Sequence, residues 1–361
     1  SSLVMEEGGP FDLGIASLEL RGDRLLAAGA FNGMDGNLAI RTSDRFLIEG
    51  DAICQLNEEI VDAPAGTDMS GNWEIHGTLL LEHGDFDATE GDVVLRSTEN
   101  GTGRLGPVAL TADYLGELVM ERYIPGGATN WRFLGAPVQD AQVAGYPGSQ
   151  YPGFSQGGNP WPSIRYYIGS VNGPSQNDGL VGVISSAMPL EAGRGFAAWS
   201  GDNLNTTAPF VVDARGEPNI AHEPIVLPMT HTDHEQGSDG WNLVSNPLPS
   251  AIDFGALNFS PDVTNMYWIF NPATGSMATW NGEEGTNGAN GIIQSSQGFW
   301  LRTKGPNHTV SVPESAKVDE DSGGVFGGSK SKRAPSYVRL RTHSAINSYS
   351  DETLVLFHTG S

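Results

Sequence analysis

Trp241-Asn-Leu-Val-Ser-Asn-Pro247-Leu248 has an earlier counterpart in Trp131-Arg-Phe-Leu-Gly-Ala-Pro137-Val138, and this pair decides how the chain is read. Trp and Pro stand six residues apart in both. Downstream, Arg165-Tyr-Tyr-Ile-Gly169 matches Met266-Tyr-Trp-Ile-Phe270, and Gly193-Arg-Gly-Phe196-Ala-Ala-Trp199 matches Ser296-Gln-Gly-Phe299-Trp-Leu-Arg302. Trp to Phe spans 65 residues in the first copy and 58 in the second. Three stations in the same order at matched spacing indicate a duplication. Each station is a short β-branched or aromatic run bounded by Gly, Pro, Asn or Ser, the pattern of a strand. Trp131, Pro137, Phe196, Trp241, Pro247 and Phe299 are the predicted anchors of two related β-sandwich units.

Upstream of the first copy, strand-like pieces recur at Ser17–Leu20, Asn37–Arg41, Arg45–Glu49, Thr78–Glu82 and Asp92–Arg96, separated by Gly, Asp or Asn. Their spacing is close to one rung of a coil, which predicts a β-solenoid, with a sandwich as the alternative. The expected order is an acidic solenoid over 1–116, one β-sandwich repeat over 117–229, and a second over 230–361 that ends in two alternating strands. The fold class is all-β. No run of 11 or more residues carries apolar positions at helical spacing.

Composition narrows the classes of function. Gly 48 and Pro 22 among 361 residues supply turns throughout, and charged residues are only 17%. With 43 acidic against 19 basic residues the formal charge is −24, and the only lysines are Lys304, Lys317, Lys330 and Lys332. Such a field repels nucleic acid and anionic lipid, which are bound by clustered Lys and Arg. It favours solubility and attracts cations. The single cysteine, Cys54, excludes an internal disulfide; alternation in Ala52-Ile-Cys-Gln-Leu56 predicts a buried small apolar residue. No stretch of 18 apolar residues is present, so no direct membrane insertion is expected. Neither a signal peptide nor a start methionine opens the chain, and strand-like Thr353–His358 stands almost at its end, so both ends read as cuts.

"VMERYIPGGATNWRFLGAPV", "GWNLVSNPLPSAIDF" and "SSQGFWLRTKG" resemble the recurrent β-region of large secreted and cell-surface proteins of Bacteroidota, cargo of the type IX secretion system. There the region often follows a β-helical passage and precedes a C-terminal sorting domain; "YVRLRTHSAINSYSDETLVLF" is similar to the strands before that domain. The likeness covers roughly Leu118 to Phe357. It implies an extracellular or outer-surface location and a β-rich architecture, and it supplies no catalytic motif. Fold-level likeness does not settle function.

Candidate sites are few. Gly145–Pro162 is rich in Gly, Pro and aromatics, and its Tyr146, Tyr151, Phe154 and Trp161 are expected to contact either a glycan or a neighbouring protein. Asp85, Asp87, Glu90 and Asp92 crowd one Gly-containing turn, an arrangement that fits structural Ca²⁺ loosely. Asn32-Gly-Met-Asp-Gly-Asn37 is a second acidic loop of this kind. His231, Asp233, His234, Glu235 and Asp239 are ligand types, but the stretch directly precedes the Trp241 strand and reads better as a connector. Glu58 and Glu59 point to opposite faces of a strand and cannot act together. No nucleophile elbow, zinc-protease, phosphate-loop or dinucleotide signature occurs, so an enzyme is not expected. The expected role is an extracellular structural or interaction protein (surface fibre, adhesin stalk or matrix component) whose partners are other surface proteins, copies of itself, or polysaccharide. The alternative is a carbohydrate-binding module.

Overall fold

In the computed structural model of the chain, the described residues are 2–5, 11–50, 53–142 except 129, and 163–232 except 172, 174, 184, 186 and 201–205. They continue over 239–318 except 307, and as the strands 337–343 and 350–356. The protein is all-β and begins with a solenoid of about five turns. Two parallel sheets form its walls. One runs through Ser2–Met5, Arg24–Ala27, Phe46–Glu49, Thr67–Met69, Phe86–Asp87 and Tyr114–Leu115. The other runs through Phe11–Asp12, Phe31–Arg41, Ile53–Asp62, Asn72–His83, Asp92–Leu95 and Leu118–Ile124, with Phe210–Gly216 antiparallel at its end.

In-register stacking gives the solenoid its core. Phe11, Phe31, Cys54, Trp73, Val93 and Leu118 are successive neighbours across one wall. Phe46, Thr67, Phe86 and Tyr114 are neighbours across the other. Alternation turns every second side chain inward, so each rung covers the apolar row of the one before it. Cys54 is buried, as its alternation predicts, and burial pushes its thiol up to about 12. Asn32–Asn37 proves to be part of the Phe31–Arg41 strand, with a register shift between Gly33 and Asn37, and not an acidic loop.

Arginines bridge rungs on the outside and offset the repulsion of the acidic surface. Arg41 reaches Asp62 at 3.0 Å and Glu82 at 3.1 Å, on the next two rungs. Arg96 joins Glu74 on the rung before it and Glu121 on the rung after it. Burial pushes the Glu74 carboxyl up, but hydrogen bonds from Arg96 and Gln55 outweigh it and leave the group below its ordinary value. Fully exposed ion pairs contribute roughly 0–1 kcal/mol each, and these part-buried bridges stand beside a stacked apolar interior that is the larger source of stability.

The duplication is real in three dimensions. The first copy builds a four-stranded sheet from Asn130–Leu134, Ile164–Tyr167, Leu180–Gly182 and Phe196–Ser200, in spatial order first, fourth, second, third. The second copy repeats that order with Trp241–Ser245, Tyr267–Asn271, Ser276–Trp280 and Gly298–Arg302, and every pairing is antiparallel. The copies are not independent of their surroundings. The expected boundary at 116/117 falls inside the solenoid, because Leu118–Ile124 pairs in parallel with Asp92–Leu95 as a further rung. The expected boundary at 229/230 comes late, since Ala221 and Leu227 already belong to the second copy's core and Ile225–Val226 pairs with Val310–Val312. Tyr337–His343 and Ser350–Leu356 form a two-stranded hairpin of their own.

Candidate functional site

Period-two alternation sends the two faces of each repeated sheet to different places. In the first copy Leu134, Phe196 and Ala198 face the core shared with the solenoid, while Phe133, Tyr167 and Ala197 face a central seam. In the second copy Val244, Phe299 and Leu301 face its own core, while Leu243 and Trp300 face the same seam. Trp300 is its centre, 5.8 Å from Phe133, 4.7 Å from Tyr167 and 6.2 Å from Trp241, all edge to face. Such pairs contribute about 0.5–1.5 kcal/mol beyond area burial.

The seam is built reciprocally. The Gly135 N–H donates to the Ser296 carbonyl at 3.0 Å, and at the equivalent place the Ser245 N–H donates to the Gly193 carbonyl at 2.8 Å. Leu134 bridges Gln297 as Val244 bridges Arg194. A patch that meets its own equivalent in this way is the signature of a two-fold interface, here closed within one chain. Close approach demands small residues: a Cβ on Gly135 would lie 2.0 Å from the Ser245 Oγ, and one on Gly298 would lie 2.8 Å from the Leu134 backbone.

The turns entering both fourth strands share one strained position, Gly193 with φ 75° and Ser296 with φ 59°. Glycine is the residue suited to that conformation, and a serine there bears a steric cost. Ser296→Gly is expected to raise stability by about 0.5 kcal/mol and Gly193→Ala to lower it by about 1–2 kcal/mol in urea titrations. The added methyl of the latter also meets the Leu227 Cδ2 at 2.7 Å.

Polar residues of the second copy's motif close its turns. Asn242 accepts the Thr230 N–H at 2.7 Å and donates to the Thr230 and Gly240 carbonyls at 2.9 and 3.0 Å. Asn246, fully buried, donates to the Ser250, Ile293 and Gln294 carbonyls and accepts the Leu248 N–H. Pro247 is buried, and its carbonyl takes a hydrogen bond from Asn219 at 2.9 Å; Pro137 is buried and accepts the Asn219 N–H at 3.2 Å. One asparagine thus holds both prolines of the repeat.

The predicted anchors separate into two roles. Phe196 and Phe299 are core residues on opposite sides of the seam. Trp131 and Trp241 are half-buried at its margin, each under a guanidinium: Arg165 lies 4.8 Å from the Trp131 ring and Arg302 lies 5.4 Å from the Trp241 ring. Trp131 also meets Trp199 at 5.3 Å. Among the described residues this margin of tryptophan and arginine is a candidate interaction surface, since flat apolar rings with cationic neighbours suit protein or sugar contact. Tyr146, Tyr151, Phe154 and Trp161 lie outside the described residues.

The acidic turn is not assembled as a metal centre. The Asp87 Oδ1 accepts the Thr89 N–H at 3.1 Å and its hydroxyl at 2.6 Å, bonds that hold the Asp87 carboxyl below its usual range. Asp92 pairs with Arg215 at 3.0 Å, and the Asp85 carbonyl takes the Thr67 N–H at 2.8 Å. Glu90 is exposed. Among the described residues no three His, Cys, Asp or Glu side chains converge, so the turn offers an Asx turn rather than the six to eight oxygens of a calcium sphere. His231 holds the Thr303 hydroxyl at 3.0 Å, and residues 233–238 lie outside the described set.

Two buried groups escape sequence reading. Glu314 accepts the Val108 N–H at 2.9 Å and the Ala221 N–H at 2.8 Å and pairs with Lys317 at 2.5 Å. The Lys317 ammonium, wholly buried, also donates to the Gly106 carbonyl at 3.0 Å; burial pulls its pKa down and Glu314 partly restores it. This clamp joins the last solenoid turn to the second copy. Glu59 occupies the inner ladder Leu18, Leu38, Glu59, Leu79, Leu105, fully buried, with no hydrogen bond to either carboxyl oxygen among the described residues. Compared with known proteins, the chain matches no family model, no curated protein and no solved structure.

Proposed function

We propose that the chain is an extracellular structural and interaction protein, a stiff element of a cell surface or secreted matrix that contacts copies of itself or other surface proteins. The observation that carries this reading is continuity. The solenoid wall continues into the first copy through Leu118–Ile124, the copies lock through the reciprocal seam, and Glu314 and Lys317 tie the second copy back to the solenoid. Packed units with few hinges suit a load-bearing spacer, and loops leaving such a scaffold are the usual place for recognition. The test is negative-stain electron microscopy with light scattering on the full chain and on Trp161→Ala. Ordered fibres or closed multimers that weaken in the variant are expected; a monodisperse monomer at every concentration contradicts self-assembly.

A second reading, carbohydrate binding, is favoured by one feature, the half-exposed Trp131 and Trp199 beside Arg165. It predicts retention on a polysaccharide column that is lost in Trp131→Ala, whereas the assembly reading predicts elution with the void in both.

A further inference from the structure

Six Asn-Gly pairs occur in the chain, at Asn32, Asn100, Asn172, Asn281, Asn287 and Asn290, and the structure describes all but Asn172. An asparagine before glycine is open to attack by the glycine nitrogen on its own side-chain amide carbon, because no Cβ shields that nitrogen. The two groups must be free to meet, and a hydrogen-bonded amide or a laddered backbone holds them apart. Four of the five pairs are held. Asn32 lies inside a strand, laddered to Asp12 on one side and Gln55 on the other. The Asn281 Oδ1 accepts the Glu283 and Glu284 N–H groups at 3.0 and 2.8 Å. The Asn287 Nδ2 donates to the Ser276 hydroxyl at 3.2 Å and to the Met277 carbonyl at 2.8 Å. The Asn290 Oδ1 accepts the Ile292 N–H at 3.2 Å, and the attacking group itself, the Gly291 N–H, donates to the Tyr267 hydroxyl at 3.3 Å.

Asn100 differs. It stands exposed on the turn over 98–101, and its own N–H donates to the Thr98 hydroxyl at 3.2 Å. Neither its side-chain amide nor the Gly101 N–H makes a hydrogen bond among the described residues. The turn is closed by the Thr98 N–H on the Gly101 carbonyl at 2.8 Å and planted on the solenoid by the bridge between Ser97 and Thr102. Behind it Arg122, 5% exposed, donates from Nη1 to the Thr102 hydroxyl and to the Gln294 Oε1 of the second copy, both at 3.3 Å.

We infer that Asn100 is a site of succinimide-mediated deamidation in the folded chain, and the first of the described Asn-Gly pairs to convert. The Gly101 nitrogen bonds to the Asn100 Cγ, the Cγ–Nδ2 bond breaks, and the Gly101 proton leaves with Nδ2 as ammonia. Water then opens the ring. Attack at Cγ gives aspartate; attack at the backbone carbonyl of residue 100 gives isoaspartate, in which the chain runs through Cγ and is longer by an atom. No electrons are transferred. Either product adds a carboxylate beside Glu99 to a chain already at −24, and the longer backbone of isoaspartate breaks the fit of the Thr98 to Gly101 closure.

Ageing the full chain at mildly alkaline pH, with peptide mapping by mass spectrometry, tests this. Conversion at Asn100 is expected to run roughly tenfold faster than at Asn32, Asn281, Asn287 or Asn290, and the gap should close when ageing is done in urea. Labelling of the aged chain by an isoaspartyl carboxyl methyltransferase supplies the second readout. The label is expected on the peptide holding Asn100, is lost there in Asn100→Gln, and falls in Gly101→Ala, where a methyl shields the nucleophile. Equal rates at all five pairs in the folded chain, or earlier conversion at any of the other four, overturn the inference. A methyl label on the Asn100 peptide undiminished by Gly101→Ala overturns it as well.

Discussion

Glu314→Ala is expected to lower stability by about 3–5 kcal/mol in urea titrations, the largest effect of any single substitution considered. The change removes the acceptor of two backbone N–H groups and leaves the wholly buried Lys317 ammonium without its counter-charge. Breaking one side of a buried pair costs far more than the pair itself contributes, because the remaining charge stays desolvated. Removing both charges is therefore milder: Glu314→Gln combined with Lys317→Met should recover at least half of the loss. A double-mutant cycle with additive losses would mean that the two groups do not act as one clamp.

Glu59 gives the second large effect, through pH. Burial among leucines raises its carboxyl well above the ordinary value of 4.5. A carboxyl whose folded-state pKa exceeds its unfolded value contributes fully below the unfolded value and loses that contribution as pH rises toward the folded one. Between the two values the native state holds one proton more than the unfolded chain, so stability falls by about 1.4 kcal/mol per pH unit. Glu59→Gln lacks this slope. The two proteins should be closest in stability near pH 4 and diverge steadily from pH 5 upward, with the variant the more stable at pH 8. Parallel pH profiles would place Glu59 in contact with solvent or with a partner.

The duplication was legible because its anchors are large residues at fixed spacing, and the structure turns them into matching sheets. The solenoid was legible for a related reason: stacked rungs repeat their inward row, so Gly and Asp turns mark a period even where the rows differ. The third strands, Leu180–Gly182 and Ser276–Trp280, were not read, since short edge strands carry little pattern. The boundary at 116/117 was misplaced because a rung and a sandwich strand have the same alternation, and only the partner strand tells them apart. Asp85, Asp87, Glu90 and Asp92 looked like ligands by type, yet Asp87 is committed to Thr89 and Asp92 to Arg215, the latter contact more than a hundred residues away in sequence. Glu314, Lys317 and Arg122 gave no local signal at all, because what makes them structural is burial against distant chain.

Rigid continuity from solenoid through both copies is most directly tested by native-state hydrogen exchange in a urea series. The amides of the solenoid wall around Trp73 and those of the seam around Leu243 and Trp300 should converge on one opening free energy and one urea dependence, as parts of a single cooperative body. Seam amides that open at distinctly lower urea, while the solenoid stays protected, would show two bodies joined by a hinge and contradict the account.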